Sequence, residues 1–221
     1  MAKFYGMITN IDENVGKLRR LLKETGLADN TVFMFTTDNG TAAGDRKRPK
    51  EEGTWPGYNA GMRGKKGSEY DGGHRVPFFV RWPKGDVGGG RDIDALAAHV
   101  DVMPTLTELC GLKPEPAALG DGASFAGALR GAEPAPMYGR TLFVHSQRVE
   151  HPRMWRKCAV MTQRWRLING EQLFDMRLDP GQREDVAGAN PETVAQLRAA
   201  YEEWWRSLEP TFDDYVRIDL G

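Results

Sequence analysis

Cysteine, long apolar runs and net charge are all scarce in this chain. Only two cysteines, Cys110 and Cys158, occur in 221 residues. They lie in separate segments and can close at most one bridge, which excludes a disulfide scaffold and leaves no zinc-ligand spacing to read. Apolar runs reach only about five residues against the roughly 20 that a membrane span needs. The opening Met1-Ala2-Lys3-Phe4-Tyr5 begins an amphipathic pattern rather than a signal peptide. The chain is therefore expected to be soluble, with no membrane role and no export address, and its compartment is left open. With 30 Lys+Arg against 31 Asp+Glu the net charge is −1, so no global field draws the chain to nucleic acid or anionic lipid. What is present is 40% apolar residues, enough to bury a core in one domain or in one domain with a small appendage.

Periodicity places the elements. Phe4, Met7, Ile8, Ile11, Val15, Leu18 and Leu22 recur at spacings of three and four, the stripe of a helix packed on a neighbour, with Gly26 placed to end it. Residues 31–37 form a continuous apolar and β-branched run of the kind found in strands covered on both faces. A second such run is residues 76–82, where Pro77 fits only at the start or on an edge. Asp101 reads as the N-cap of a helix over residues 102–110, with Gly111 as its stop. Residues 114–136 read as a connector crossing between two layers or subdomains. Residues 141–145, 157–161, 165–168 and 172–176 are short strand-like runs parted by turn residues such as Asn169-Gly170, which predicts an antiparallel meander. A helix from Asn190 or Pro191 through Leu208 follows, buried along Val194, Leu197, Tyr201, Trp204/Trp205 and Leu208. Helix and apolar strand first, meander and helix afterwards, predict an α/β part followed by a small antiparallel sheet packed with a helix.

Two stretches carry chemistry. Asp38-Asn39-Gly40 ends the first strand. Asn-Gly is a strong hairpin signal, but residues 41–49 offer no second strand, so a carboxylate and a carboxamide remain at the strand's carboxyl end, where α/β folds place ligand groups. Both are hard oxygen donors suited to calcium or magnesium, though such a cation takes six or more oxygens. The second stretch runs Arg63-Gly64-Lys65-Lys66-Gly67-Ser68-Glu69-Tyr70-Asp71-Gly72-Gly73-His74-Arg75-Val76-Pro77. It lacks the spacing of a phosphate-binding P-loop; its glycines nonetheless allow a backbone to approach a ligand closely. Arg46, Lys47, Arg48 and Lys50, followed by Glu51 and Glu52, read as a solvated charge run. His99 reads as structural, and Trp155, Trp165, Trp204 and Trp205 as packing rather than a stacking platform.

Taken together, these segments resemble the sulfatase family of sulfate-ester hydrolases, in the alkaline-phosphatase-like superfamily. The resemblance rests on five parts in order: Lys23-Glu24-Thr25-Gly26-Leu27-Ala28-Asp29-Asn30-Thr31, then Thr36-Thr37-Asp38-Asn39-Gly40, Lys66-Gly67-x-x-Tyr70-Asp71-Gly72-Gly73-x-Arg75-x-Pro77, His99-Val100-Asp101-Val102-Met103-Pro104-Thr105-Leu106, and Leu173-Phe174-Asp175-Met176-Arg177-Leu178-Asp179-Pro180. It implies a partial alkaline-phosphatase-like sheet with helices over residues 1–135 and a small α+β subdomain over residues 136–221.

The same resemblance assigns roles. Asp38 and Asn39 match two ligands of the active-site cation, usually calcium. Lys66 matches the lysine that contacts the sulfate and stabilises charge on the bridging oxygen. His74 stands at a variable position of the lysine motif, equally readable as a substrate contact or a solvated loop histidine. An Asn beside the Asp, where phosphatase relatives more often carry a histidine, favours sulfate over phosphate. The family's nucleophile is a formylglycine made in a Cys/Ser-x-Pro/Ala-x-Arg motif, which neither Cys110 nor Cys158 nor any serine here satisfies. The chain is therefore expected to represent the carboxyl-terminal half of a sulfatase, with an incomplete metal site, no turnover alone and self-association through uncovered apolar surface. Family members are commonly periplasmic or secreted. The alternatives are a non-catalytic remnant that binds anions or a partner, and a phosphoesterase of the same superfamily.

Overall fold

The computed structural model of the chain describes residues 2–42, 58–113, 115 and 120–212. In chain order the first elements are α1 (Ala2–Glu24), β1 (Phe33–Thr36), α2 (Asp71–His74), β2 (Phe78–Arg81), α3 (Val102–Leu109) and α4 (Ala126–Leu129). They are followed by β3 (Leu142–His145), β4 (Cys158–Met161), β5 (Trp165–Ile168), β6 (Gln172–Asp175) and α5 (Pro191–Leu208). The described residues divide into two compact units: those within 2–37 and 76–138 in one; those within 38–42, 58–75 and 139–212 in the other. The charge run from Arg46 to Glu52 lies outside the described residues.

In the first unit α1 ends as its sequence predicts. Gly26 has φ +72°, and the Leu27 and Gly26 N–H groups donate to the Leu22 and Lys23 carbonyls at 2.9 and 3.1 Å, a Schellman closure that a residue with a Cβ would strain. The expected packing does not follow. Met7 is 62% exposed, and Ile8, Ile11 and Leu18 are exposed with it. The spacing sets the phase of the apolar stripe, but cannot supply a partner for it.

β1 and β2 pair antiparallel, Phe33 opposite Arg81 and Thr36 opposite Phe78. Neither is covered on both faces, contrary to the expectation from the apolar runs. Their residues are half-buried or exposed, and Phe79 is 65% exposed, because among the described residues the pair forms a two-stranded ribbon. Pro77 stands just outside the ladder, where its missing N–H removes no bond.

Asp101 occupies the N-cap position of α3, but its carboxylate does not cap that helix. It accepts from the Ala98 N–H at 2.7 Å and the Ala123 N–H at 2.9 Å instead, pinning the 3₁₀ turn His99–Asp101 to residue 123. Phe125, Ala126 and Ala128 are buried in the first unit's core beside Val87, Leu109 and Met137. Within the described part of residues 120–136 the short patch at Phe125 to Leu129 winds into α4, burying Phe125, Ala126 and Ala128, while residues 130–133 are exposed.

The second unit holds the predicted meander, β3-β4-β5-β6, antiparallel throughout. Asn169 and Gly170 have φ of +52° and +72°, the signature of a type I′ hairpin turn, and Asn-Gly is the dipeptide that tolerates it. Leu197, Tyr201 and Trp205 of α5 pack on Cys158, Val160, Leu167 and Leu173, with Trp155, Trp165 and Trp204 around them. The tryptophans are packing residues, as expected. Cys110 is exposed, and Cys158 is buried with its thiol pushed up to about 11 by burial.

His145, on β3, is locked in one tautomer by geometry. The Gln147 amide is oriented by Arg153, donating from Nε2 to its carbonyl (2.7 Å) and accepting its N–H at Oε1 (3.0 Å). Gln147 Nε2 also lies 2.9 Å from His145 Nδ1. An amide nitrogen only donates, so Nδ1 is the bare acceptor and the Nε2–H points to Tyr201 Oη, 3.0 Å away. Burial lowers the pKa of His145, and protonating Nδ1 would set two donors against each other. The unfolded state then binds more protons than the native state below the ordinary value near 6.5, so stability rises with pH there. Melting temperature is expected to hold above that pH and fall as pH drops from it toward the depressed folded value. The slope should flatten in His145→Gln; a slope unchanged in that variant would assign it to another group.

Candidate functional site

The predicted site residues all belong to the second unit. Asp38 is exposed and Asn39 and Gly40 are half-buried, in the turn after β1. This turn is seated on the glycines of the Lys66 loop. The Gly40 N–H donates to the Gly73 carbonyl at 2.9 Å, and the Lys66 N–H to the Thr41 carbonyl at 2.8 Å. The approach tolerates no side chain: a Cβ on Gly40 would stand 1.9 Å from the Gly72 oxygen, one on Gly72 2.4 Å from the Gly64 oxygen, and one on Gly73 2.2 Å from the Ser68 oxygen. Asn39-Gly40 is thus a close-packing site and not a hairpin, and the two chemistry-bearing stretches are joined through their backbones.

Lys66 sits at the tip. Ser68 N–H donates to the Lys65 carbonyl at 2.9 Å, closing a turn with Gly67 third in it at φ +81°, the position that a type II turn reserves for glycine. The Lys66 side chain is exposed at a cavity of about 220 Å³ lined by Arg63, Lys65, Lys66, Ser68, Tyr70 and the glycines between them. That is below the roughly 300 Å³ where pockets for drug-sized ligands begin, and three cationic side chains around it suit a small anionic group. Arg63 stacks on the Tyr70 ring, 3.9 Å from its centroid, and donates to the Gln182 carbonyl at 3.1 Å.

His74 is half-buried at the end of α2. Its Nε2 lies 3.1 Å from the Glu69 carbonyl, to which it donates, and burial lowers its pKa, so it closes the loop as a neutral ring. Sequence reasoning missed Asp71, Arg166 and Gln182, buried polar residues on which this loop rests. The available signal was a charged residue, Arg166, inside the apolar run Trp165 to Ile168.

The fit of a resident cation is poor on the described residues alone. Asp38 and Asn39 bring two ligand groups, one carboxylate and one carboxamide, and the Asn39 Nδ2 donates to the Gly40 carbonyl at 3.1 Å. Among the described residues no group of three or more His, Cys, Asp or Glu gathers, whereas calcium takes six to eight oxygen ligands.

Comparison with known proteins agrees with the geometry. A family model for sulfatases matches residues 1–112, and a model for the carboxyl-terminal region of N-sulphoglucosamine sulphohydrolase matches residues 65–206. The mouse steryl-sulfatase is 32% identical over 167 residues, covering 76% of this chain and 24% of that protein. An N-acetylgalactosamine-6-O-sulfatase of Bacteroides thetaiotaomicron is 26% identical over 212 residues, 86% of this chain and 39% of its own. The crystal structure of Ps i-CgsB superposes with a TM-score of 0.73 at 26% identity, over 90% of this chain and 42% of that one. The chain spans less than half the length of these relatives. A family model over half the chain, sulfatase relatives across most of its length, and a Lys66 turn seated against Asp38-Asn39-Gly40 make this chain a member of the sulfatase family.

Proposed function

We propose that the chain supplies the lysine-bearing part of a site that hydrolyses sulfate esters. The observation that supports this is the backbone union of the two turns, Lys66 N–H to Thr41 and Gly40 N–H to Gly73, which joins the segment bearing Lys66 to the segment bearing Asp38 and Asn39. In this role Lys66 holds the sulfate group and stabilises the negative charge that builds on the bridging oxygen as the S–O bond breaks, an electrostatic contribution that is usually a large catalytic term. Arg63 and Lys65 add positive potential around it. His74, with Nε2 committed to Glu69, offers Nδ1 toward a substrate. Asp38 and Asn39 supply two of the oxygens of a shared cation, the others coming from elsewhere in a complete enzyme. The Asn39 carboxamide in place of a histidine favours sulfate over phosphate.

A second role has its own support. The absence of any Cys/Ser-x-Pro/Ala-x-Arg motif from the 221 residues favours, for this chain taken alone, anion or partner binding without turnover. The chain alone is expected not to hydrolyse an aryl sulfate above background. Turnover abolished by both Asp38→Ala and Lys66→Ala would show that the chain needs no further nucleophile.

Two further outcomes are expected. Calcium titrated into the chain should bind no more tightly than about 1 mM, the weak end for oxygen-ligand sites; micromolar binding lost in Asp38→Ala would contradict the incomplete donor set. The exposed stripe of Met7, Ile8, Ile11 and Leu18, with Phe79 on the ribbon, is expected to drive concentration-dependent self-association, since apolar surface of this kind is seldom left to water. Sedimentation velocity checks this. An ideal monomer across the concentration range would argue against it.

A further inference from the structure

The loop that carries Lys66 is bolted to the meander by side chains far away in sequence. Ser146 Oγ donates to the Ser68 carbonyl at 3.2 Å, Asn169 Nδ2 to Glu69 Oε1 at 2.9 Å, and the Tyr70 hydroxyl to Gln172 Oε1 at 2.8 Å. The deepest bolt is at Asp71, 1% exposed. Arg166 Nε of β5 donates to its Oδ1 at 3.0 Å, with Arg75 of the loop itself at 4.0 Å from Oδ2. The Asp71 N–H donates to Gln182 Oε1 at 2.9 Å, and Gln182 is fully buried. Gln182 also accepts Arg63 at its carbonyl, so it grips both ends of the loop. Immediately after Asp71 come Gly72, whose N–H closes the loop on the Arg63 carbonyl, and Gly73, whose carbonyl receives Gly40.

We propose that Arg166 and Gln182 are positioning residues: by fixing Asp71 they fix the glycine pair on which both the Lys66 turn and the Asp38 turn are seated. Neither lines the cavity beside Lys66; the Arg166 and Gln182 side chains act through Asp71, and the Gln182 carbonyl holds Arg63 besides. A buried carboxylate needs a partner, and here Arg166 of the sheet supplies the hydrogen bond at Oδ1 while Oδ2 is buried with no hydrogen-bond partner, so the hold on Asp71 rests on Arg166 and on the Gln182 bond to its N–H. The consequence for sulfate rests on the role assigned to Lys66; the clamp itself does not.

Amide hydrogen exchange resolved by residue tests it on the 221-residue chain, in Arg166→Met, Arg166→Lys and Gln182→Met. The Gly40, Lys66 and Gly72 amides are expected to exchange about tenfold or more faster in Arg166→Met and Gln182→Met, through local opening. The Val160 amide of β4 should be unchanged, and Arg166→Lys should recover part of the protection. If Arg166→Met fails to fold, Gln182→Met and Arg166→Lys carry the comparison. Loop amides unchanged in the folded variants would overturn the proposal. So would equal acceleration of loop and sheet, which is the mark of a purely structural pair. Inorganic sulfate titrated into the unsubstituted chain reports separately on Lys66: a Lys66 amide indifferent to sulfate would reject the sulfate role, while the exchange comparison would still decide the clamp.

Discussion

Tyr201→Ala is expected to cost the second unit about 3–5 kcal/mol, the range for deleting a buried aromatic side chain. Tyr201 is fully buried and touches nearly every part of that core. Its ring lies 4.0 Å from Trp155 and stacks on His145 at 5.6 Å and 9°. Its hydroxyl accepts the Trp155 N–H at 3.2 Å and meets His145 Nε2 at 3.0 Å. Removing it opens a cavity and strands two polar groups, each of which adds to the loss when left unpaired. Against a total of about 5–15 kcal/mol for a domain, that is a large fraction. Denaturation in urea, followed by tryptophan fluorescence, should show the midpoint collapsing for Tyr201→Ala and moving far less for Tyr201→Phe. A midpoint equal to that of the exposed-site control Glu203→Ala would mean that α5 does not hold this core together.

Lys66→Ala is expected to weaken binding of an aryl sulfate about tenfold at low ionic strength, the lower range for a charge-assisted contact because the side chain is solvent-exposed. Lys65→Ala should weaken it less, and added salt should compress both differences, since charges at an open site are screened over a Debye length of about 10 Å at 0.1 M. Gly72→Ala is the complementary variant: it leaves every charge in place but drives a Cβ to 2.4 Å from the Gly64 oxygen. Equilibrium binding of the same ester in all three separates loss of charge from loss of loop geometry. Affinity unaffected by Lys66→Ala would remove that residue from the site.

What was legible beforehand was local. The meander was readable because alternation and a positive-φ Asn169-Gly170 turn act over a few residues. The α5 stripe was readable because Leu197, Tyr201 and Trp205 fall on one helical face. The Asp38 and Lys66 turns stood out as motifs. The interlocked glycines that unite them did not, because a close approach between Gly40 and Gly72 has no signature in either segment. Arg166 and Gln182 were invisible for the same reason, lying 95 and 111 residues from Asp71. Asp101 was placed correctly at a helix start, yet its carboxylate serves Ala98 and Ala123, since a cap position does not dictate where a side chain turns. The α1 stripe and the β1 and β2 runs marked surfaces fit for burial, and their exposure shows that hydrophobicity records what a segment can cover, not what covers it.

The central claim is that the Lys66 turn and the Asp38 turn form one anion-recognising locality. Amide chemical shifts of the ¹⁵N-labelled chain, followed while inorganic sulfate replaces chloride at constant ionic strength, test this most directly. Saturable shifts confined to residues 38–41 and 63–70, and lost together in Lys66→Ala, are the expected result. Shifts scattered over the exposed lysines and arginines, or reproduced equally by chloride, would contradict it.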